Sequence, residues 1–150
     1  MVYGVERRLL QTDQVERKEG IEMTIHEQDT FTHAYIECAL WSSTDDNDKP
    51  YDQSDAELAD ETIAKMAADC KDFQDANAAV LERWYSEAGE TIERAGHDFW
   101  LTRNGHGAGY WDRWNDGTPQ GKIGRELTDL AHAYGSCDLY TGDDGRIYTL

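Results

Sequence analysis

Between Asp60 and Ser86 the apolar residues Ile63, Met66, Ala67, Cys70, Phe73, Ala76, Val80, Leu81 and Trp84 return every three or four positions, with neither glycine nor proline among them. This spacing places them on one face of an α-helix, the longest that the sequence predicts. Such a stripe is stable only when other elements cover it, so the remaining segments must supply that cover.

Thr30 or Thr32 is placed to cap a second helix carrying Phe31, Tyr35, Cys38 and Leu40, with a strand as the alternative because of its β-branched and aromatic content. Ile123, Leu127, Leu130, Ala131 and Tyr134 mark a further helix, stopped at Gly135. Residues 42–57, SSTDDNDKPYDQSDAE, gather the residue types of turns and predict a loop. Residues 98–102 and 108–112 are short, β-prone and aromatic, and the intervening RNGHG accepts positive φ, so 95–113 reads as a β-hairpin. Residues 137–141 and 146–150, joined through Gly142, Asp143, Asp144 and Gly145, read as a second hairpin. The expected fold class is therefore α+β: two or three helices packed on an antiparallel sheet of about four strands. It occupies one domain, 23–150, preceded by a polar N-terminal extension or misassigned start, 1–22.

The chain carries 31 acidic and 14 basic residues, a net charge of −17, and the imbalance is uneven. Residues 1–94 hold 23 acidic and 9 basic groups, whereas 95–150 hold 8 and 5. Direct binding to nucleic-acid phosphates is disfavoured by such a field. Cys38, Cys70 and Cys137 lie far apart with no CxxC, which signals neither a zinc ribbon nor a disulfide framework and fits a reducing, cytoplasmic location. No apolar run approaches the roughly 20 residues of a membrane span.

Four constellations carry chemistry. His97, Asp98, His106 and Asp112 are the residue types of general acid–base or divalent-metal sites. Strand alternation, however, separates His97 from Asp98, so hydrogen bonding at turns and strand ends is the alternative. The glycines of RNGHGAG suit an anion, but the string matches neither a dinucleotide fingerprint nor a Walker pattern, and no cofactor is expected. Trp100, Tyr110, Trp111 and Trp114, beside Arg103, His106 and Arg113, form an aromatic and cationic set typical of interfaces if one face is left uncovered. Last, Asp45, Asp46, Asp48, Asp52, Asp55, Glu57, Asp60 and Glu61 in and after the loop, then Asp69, Asp72 and Asp75 along the helix, are an acidic display able to imitate duplex phosphates. A solvated helix face is the plainer reading, and the loop lacks the pattern of an EF-hand.

The strings FTHAYIECALWSSTDD at 31–46 and AGHDFWLTRNGHGAGYWDR at 95–113, with CDLYTGDDGRI at 137–147, resemble a family of small bacteriophage and prophage proteins. The resemblance implies a viral origin and brings no activity or catalytic residue with it. Combined with the charge asymmetry, it leads to the expectation of a phage accessory protein, acting in the host cytoplasm, that binds and inhibits a nucleic-acid-handling or defence protein. The expected contact residues are Trp100, Arg103, His106, Trp111, Arg113, Asp45, Asp46, Asp48, Asp69 and Asp72. A small metal-dependent hydrolase or nuclease using His97, Asp98, His106 and Asp112, and a virion assembly protein, are the alternatives.

Overall fold

A computed structural model describes residues 24–150, so the expected extension at 1–22 lies outside the described residues. After a single 3₁₀ turn at Ile25–Glu27, the chain forms α1 (Thr30–Ser42), α2 (Asp60–Ala76), α3 (Ala78–Ser86), α4 (Ile92–Asn104), α5 (Pro119–His132), β1 (Leu139–Thr141) and β2 (Ile147–Thr149). Two more 3₁₀ turns, Tyr51–Gln53 and Tyr110–Asp112, lie in the connections.

This corrects the expected α+β architecture. Among the described residues the chain is mostly helical, and its one sheet is the two-stranded antiparallel ribbon β1–β2. The C-terminal hairpin forms as read, with Leu139 opposite Thr149 and Thr141 opposite Ile147. The 95–113 hairpin does not form, because its first half is the body of α4.

The reason is local. The Thr91 hydroxyl caps α4 by accepting from the Arg94 backbone N–H at 3.1 Å. At the other end Gly105, at φ +66°, takes the left-handed conformation that ends a helix. Gly105 N–H then donates to Thr102 O and His106 N–H to Leu101 O, at 3.2 and 3.1 Å, which is the bonding of a Schellman stop. The glycine that resembles a hairpin turn is thus a helix terminator. α4 is also covered on nearly all sides along its second half, where Asp98, Phe99, Trp100, Leu101, Thr102 and Arg103 are all buried.

The long periodic helix is likewise divided. Asn77 leaves helical geometry (φ −120°, ψ 28°), its side-chain amide donates to Phe73 O at 3.0 Å, and Leu81 N–H donates to Asn77 O as α3 begins. The cap of α1 is Asp29, whose carboxylate accepts from Thr32 N–H at 2.8 Å. Thr118 caps α5 in the same way, with Pro119 in the first turn.

α1 and α4 pack at very close range. A Cβ placed on Gly96 of α4 would lie 2.0 Å from the Phe31 carbonyl oxygen of α1, so only glycine permits this approach. Between and around the two helices the aromatic rings form the centre of the core. Phe73 and Phe99 stack with centroids 4.1 Å apart, and Tyr35 meets Phe99 and Trp100 at 5.2 and 5.4 Å. The buried hydrophobic residues of all five helices and the ribbon join in one cluster.

Candidate functional site

The four residues considered for acid–base or metal chemistry are not brought together. Asp98 is fully buried, and it accepts two hydrogen bonds from Arg113, from Nε at 2.8 Å and Nη2 at 2.6 Å. That bidentate pair ties the 3₁₀ segment back onto α4 and holds the Arg113 guanidinium charged, its pKa raised chiefly by the bonds to Asp98. His97 lies beside it, Nδ1 3.5 Å from Asp98 Oδ1. His106 sits beyond the far end of α4, after seven residues of helix that rise roughly 10 Å. Asp112 Oδ1 accepts from Gly109 N–H at 2.9 Å and closes the local turn. Among the described residues no group of three or more His, Cys, Asp or Glu is arranged to hold a metal ion.

The aromatic and cationic set divides between interior and surface. Trp100 is buried, its indole N–H donating to Ser42 Oγ at 2.9 Å. Arg103 is buried as well, donating to the Asp69 carboxylate at 2.9 Å, Tyr35 Oη at 3.1 Å, and the carbonyls of Tyr134 and Gly135 at 2.9 and 2.8 Å. It satisfies the chain just after α5, where helix carbonyls are otherwise unpaired. Tyr110 is buried and its hydroxyl donates to Ala95 O. Trp111, Trp114 and His106 remain exposed, and the Trp114 indole N–H donates to Glu90.

The acidic display is rearranged by the fold. Along α2, Lys65 pairs with Asp69, Lys71 with Asp75, and the Tyr134 hydroxyl donates to Asp72, so this helix is not a row of bare carboxylates. The acidic loop, in contrast, lies against the C-terminal ribbon. Tyr51 and Thr141, 90 positions apart, share a hydrogen bond of 2.9 Å between their hydroxyls. Ile147 N–H donates to Glu57 O, and Ala59 N–H to Ile147 O, at 2.9 and 3.0 Å. These bonds tether the segment carrying Asp45, Asp46, Asp48, Asp52, Asp55 and Glu57 to the ribbon whose turn carries Asp143 and Asp144, with only Lys49 and Arg146 as basic residues in the two segments. Asp45 itself is structural, accepting from Asn47 and Lys49 N–H. The Tyr148 hydroxyl donates to Asp144 at 2.7 Å, which lowers the Asp144 pKa, and Glu61 adds to the negative potential there by helping to raise that of Tyr148.

A second surface feature was not among the expected residues. A cleft of about 550 Å³ opens between α1 and the start of α4, lined by Ala34, Glu37, Cys38 and Trp41 from α1, by Thr91, Glu93, Arg94 and His97 from the start of α4, and by Arg113. Trp41 is 60% exposed and its ring lies 6.1 Å from that of His97. Positions 34, 37, 38 and 41 are one helical stripe, and that spacing was the signal available in the sequence. Burial pushes the Cys38 thiol up to about 12, so it lines the cleft as an unreactive group.

No protein-family model matches the chain, and no curated protein or solved structure matches it either. The class defined by fold and surface is a mostly helical, strongly acidic protein with an aromatic cleft. No helix among the described residues is long and apolar enough to cross a membrane.

Proposed function

We propose that this is a viral accessory protein that binds the basic, nucleic-acid-facing surface of a host protein and so obstructs it in the host cytoplasm. The observation that carries this reading is the tethering of the 45–57 loop to the C-terminal hairpin, two segments that together carry eight carboxylates and two cations. The described cations elsewhere are largely held by carboxylates: Lys65, Lys71, Arg83, Arg94, Arg103, Arg113 and Arg125 each have one within ion-pair distance. Those pairs leave Lys49 and Arg146 as the cations within the loop and hairpin segments. Such an excess of negative charge steers association with a positive groove and competes with phosphates there.

The test is competition. The full chain, immobilised, captures its partner from a bacterial lysate, and duplex DNA is then added at low and at moderate ionic strength. Release of a DNA-handling protein by duplex, with capture weakening as salt rises, is the expected result. Capture that ignores both DNA and salt would refute the reading.

A further inference from the structure

The cleft between α1 and α4 is an open depression with an aromatic wall and a small number of charged groups. The state of those groups decides what it suits. Both arginines are committed: Arg113 to Asp98 through two hydrogen bonds, and Arg94 to Glu90, with Nε 3.6 Å from the carboxylate. The two lining carboxylates are not matched by a lysine or arginine among the described residues. Glu37 is 68% exposed and meets His33 at 3.6 Å, while Glu93 is exposed in the first turn of α4. Trp41 is exposed and its ring lies beside that of His97. What the cleft offers is therefore one indole face beside two carboxylates that have no lysine or arginine partner among the described residues.

An anion entering here would meet arginines already paired with carboxylates and two glutamates with no lysine or arginine beside them. A cation would meet an aromatic face and charge-complementary acceptors. Among cations, a planar guanidinium fits both, since it stacks on indole and pairs with a carboxylate through two parallel N–H bonds, whereas an ammonium does neither as well. The neighbouring apolar lining, Ala34 and the Cys38 thiol, suits the methylene stem of a long side chain. We propose that the cleft receives an arginine side chain of the partner, its guanidinium over Trp41 and bonded to Glu37 or Glu93. This deepens the proposed function and rests on it to the extent that the partner surface is basic. It adds a specific anchor to what is otherwise a diffuse charge attraction.

The test needs no partner. The ¹⁵N-labelled full chain is titrated with N-acetylarginine amide, its lysine counterpart, and the neutral isostere N-acetylcitrulline amide, and indole N–H and backbone signals are followed. The arginine compound is expected to shift the Trp41 indole signal, identified by its absence in Trp41→Ala, and the His97 amide, saturably. The lysine compound should bind about tenfold less well and citrulline not measurably. The double variant Glu37→Gln/Glu93→Gln, exposed at both sites, should weaken arginine binding at least tenfold with an otherwise unchanged spectrum. Equal shifts with citrulline, persistence of the shifts at His97 in Trp41→Ala, or no saturable shift at all would each overturn the proposal. If arginine fails to bind while duplex DNA still displaces the partner, the cleft proposal alone is lost. If arginine binds and duplex displaces nothing, the guanidinium site stands and the nucleic-acid-mimicking surface falls.

Discussion

Replacing Gly96 with alanine tests both the fold and the geometry of the cleft. On an isolated helix the change would stabilise by about 1 kcal/mol, because glycine is a poor helix former. Here the added methyl would lie 2.0 Å from the Phe31 carbonyl oxygen and 2.8 Å from its carbon. Non-bonded contact lies near ~3.5 Å, so α1 and α4 must separate by more than about 1 Å. The obstacle is backbone rather than a flexible side-chain end, so the overpacking cost belongs at or above the upper part of the usual range of about 1–3 kcal/mol. The net expectation is destabilisation of about 2 kcal/mol, which in a domain of this size lowers Tm by roughly 4–8 °C. Urea titration followed by far-ultraviolet circular dichroism measures the first, and a thermal scan the second. The same separation would widen the cleft, since Glu37 and Trp41 ride on α1 and Glu93 and His97 on α4. A variant as stable as the parent, or more stable, would show that the two helices do not meet at Gly96 and refute the reasoning.

Three other outcomes follow from the same contacts. Asp98→Asn leaves Arg113 without its charged partner and should cost about 2–3 kcal/mol in urea, below the usual loss for a fully buried pair because Arg113 is 21% exposed; a loss under about 0.5 kcal/mol, the level of an ordinary surface change, would contradict the structural role of the pair. Asp29→Ala removes the α1 cap and should cost about 1 kcal/mol near neutral pH. Burial alone would raise the Asp29 pKa, but hydrogen bonds from Thr32 and Gln74 outweigh it and the net shift is downward. The cap's contribution is thus present above the ordinary carboxyl pKa and lost as pH falls through the lowered value, so parent and variant should converge in stability at acid pH; a constant gap would contradict it. All three cysteines are buried, with thiol pKa values raised mainly by that burial, so a thiol reagent at neutral pH should modify none in the folded protein and all three in denaturant.

What could be read in the sequence was whatever rested on local chemistry facing a single covered side. α5 and the C-terminal hairpin are legible because stripe and turn residues agree there, and α1 is legible from its apolar spacing with a strand as the alternative. α4 is not, because its buried second half is short, aromatic and β-prone in composition, and its terminating glycine has the same φ preference as a hairpin turn. The break at Asn77 has no signature in the pattern because the apolar spacing runs on through it. At the surface, the acidic loop was legible but not its neighbour, because pairing Glu57 and Ala59 with Ile147 is a tertiary event with no local signal. The aromatic spacing predicts one two-stranded unit. In α4, which replaces its first half, Trp100 and Arg103 turn inward, while Trp111 in the following 3₁₀ turn stays outside, and the exposed aromatic of the cleft is Trp41 from another helix.

The proposed function depends most directly on the carboxylates of the loop and hairpin. Asp46, Asp52, Asp55 and Asp143 are exposed and carry none of the turn bonds made by Asp45 or Asp144, so their joint change to asparagine should leave the fold intact. The affinity of parent and variant for the captured partner is then measured at low and at moderate salt. The account predicts that the variant binds at least tenfold more weakly at low salt, loses much of the parent's salt dependence, and is displaced by less duplex DNA. Equal affinity and an equal salt response in the two proteins would contradict it.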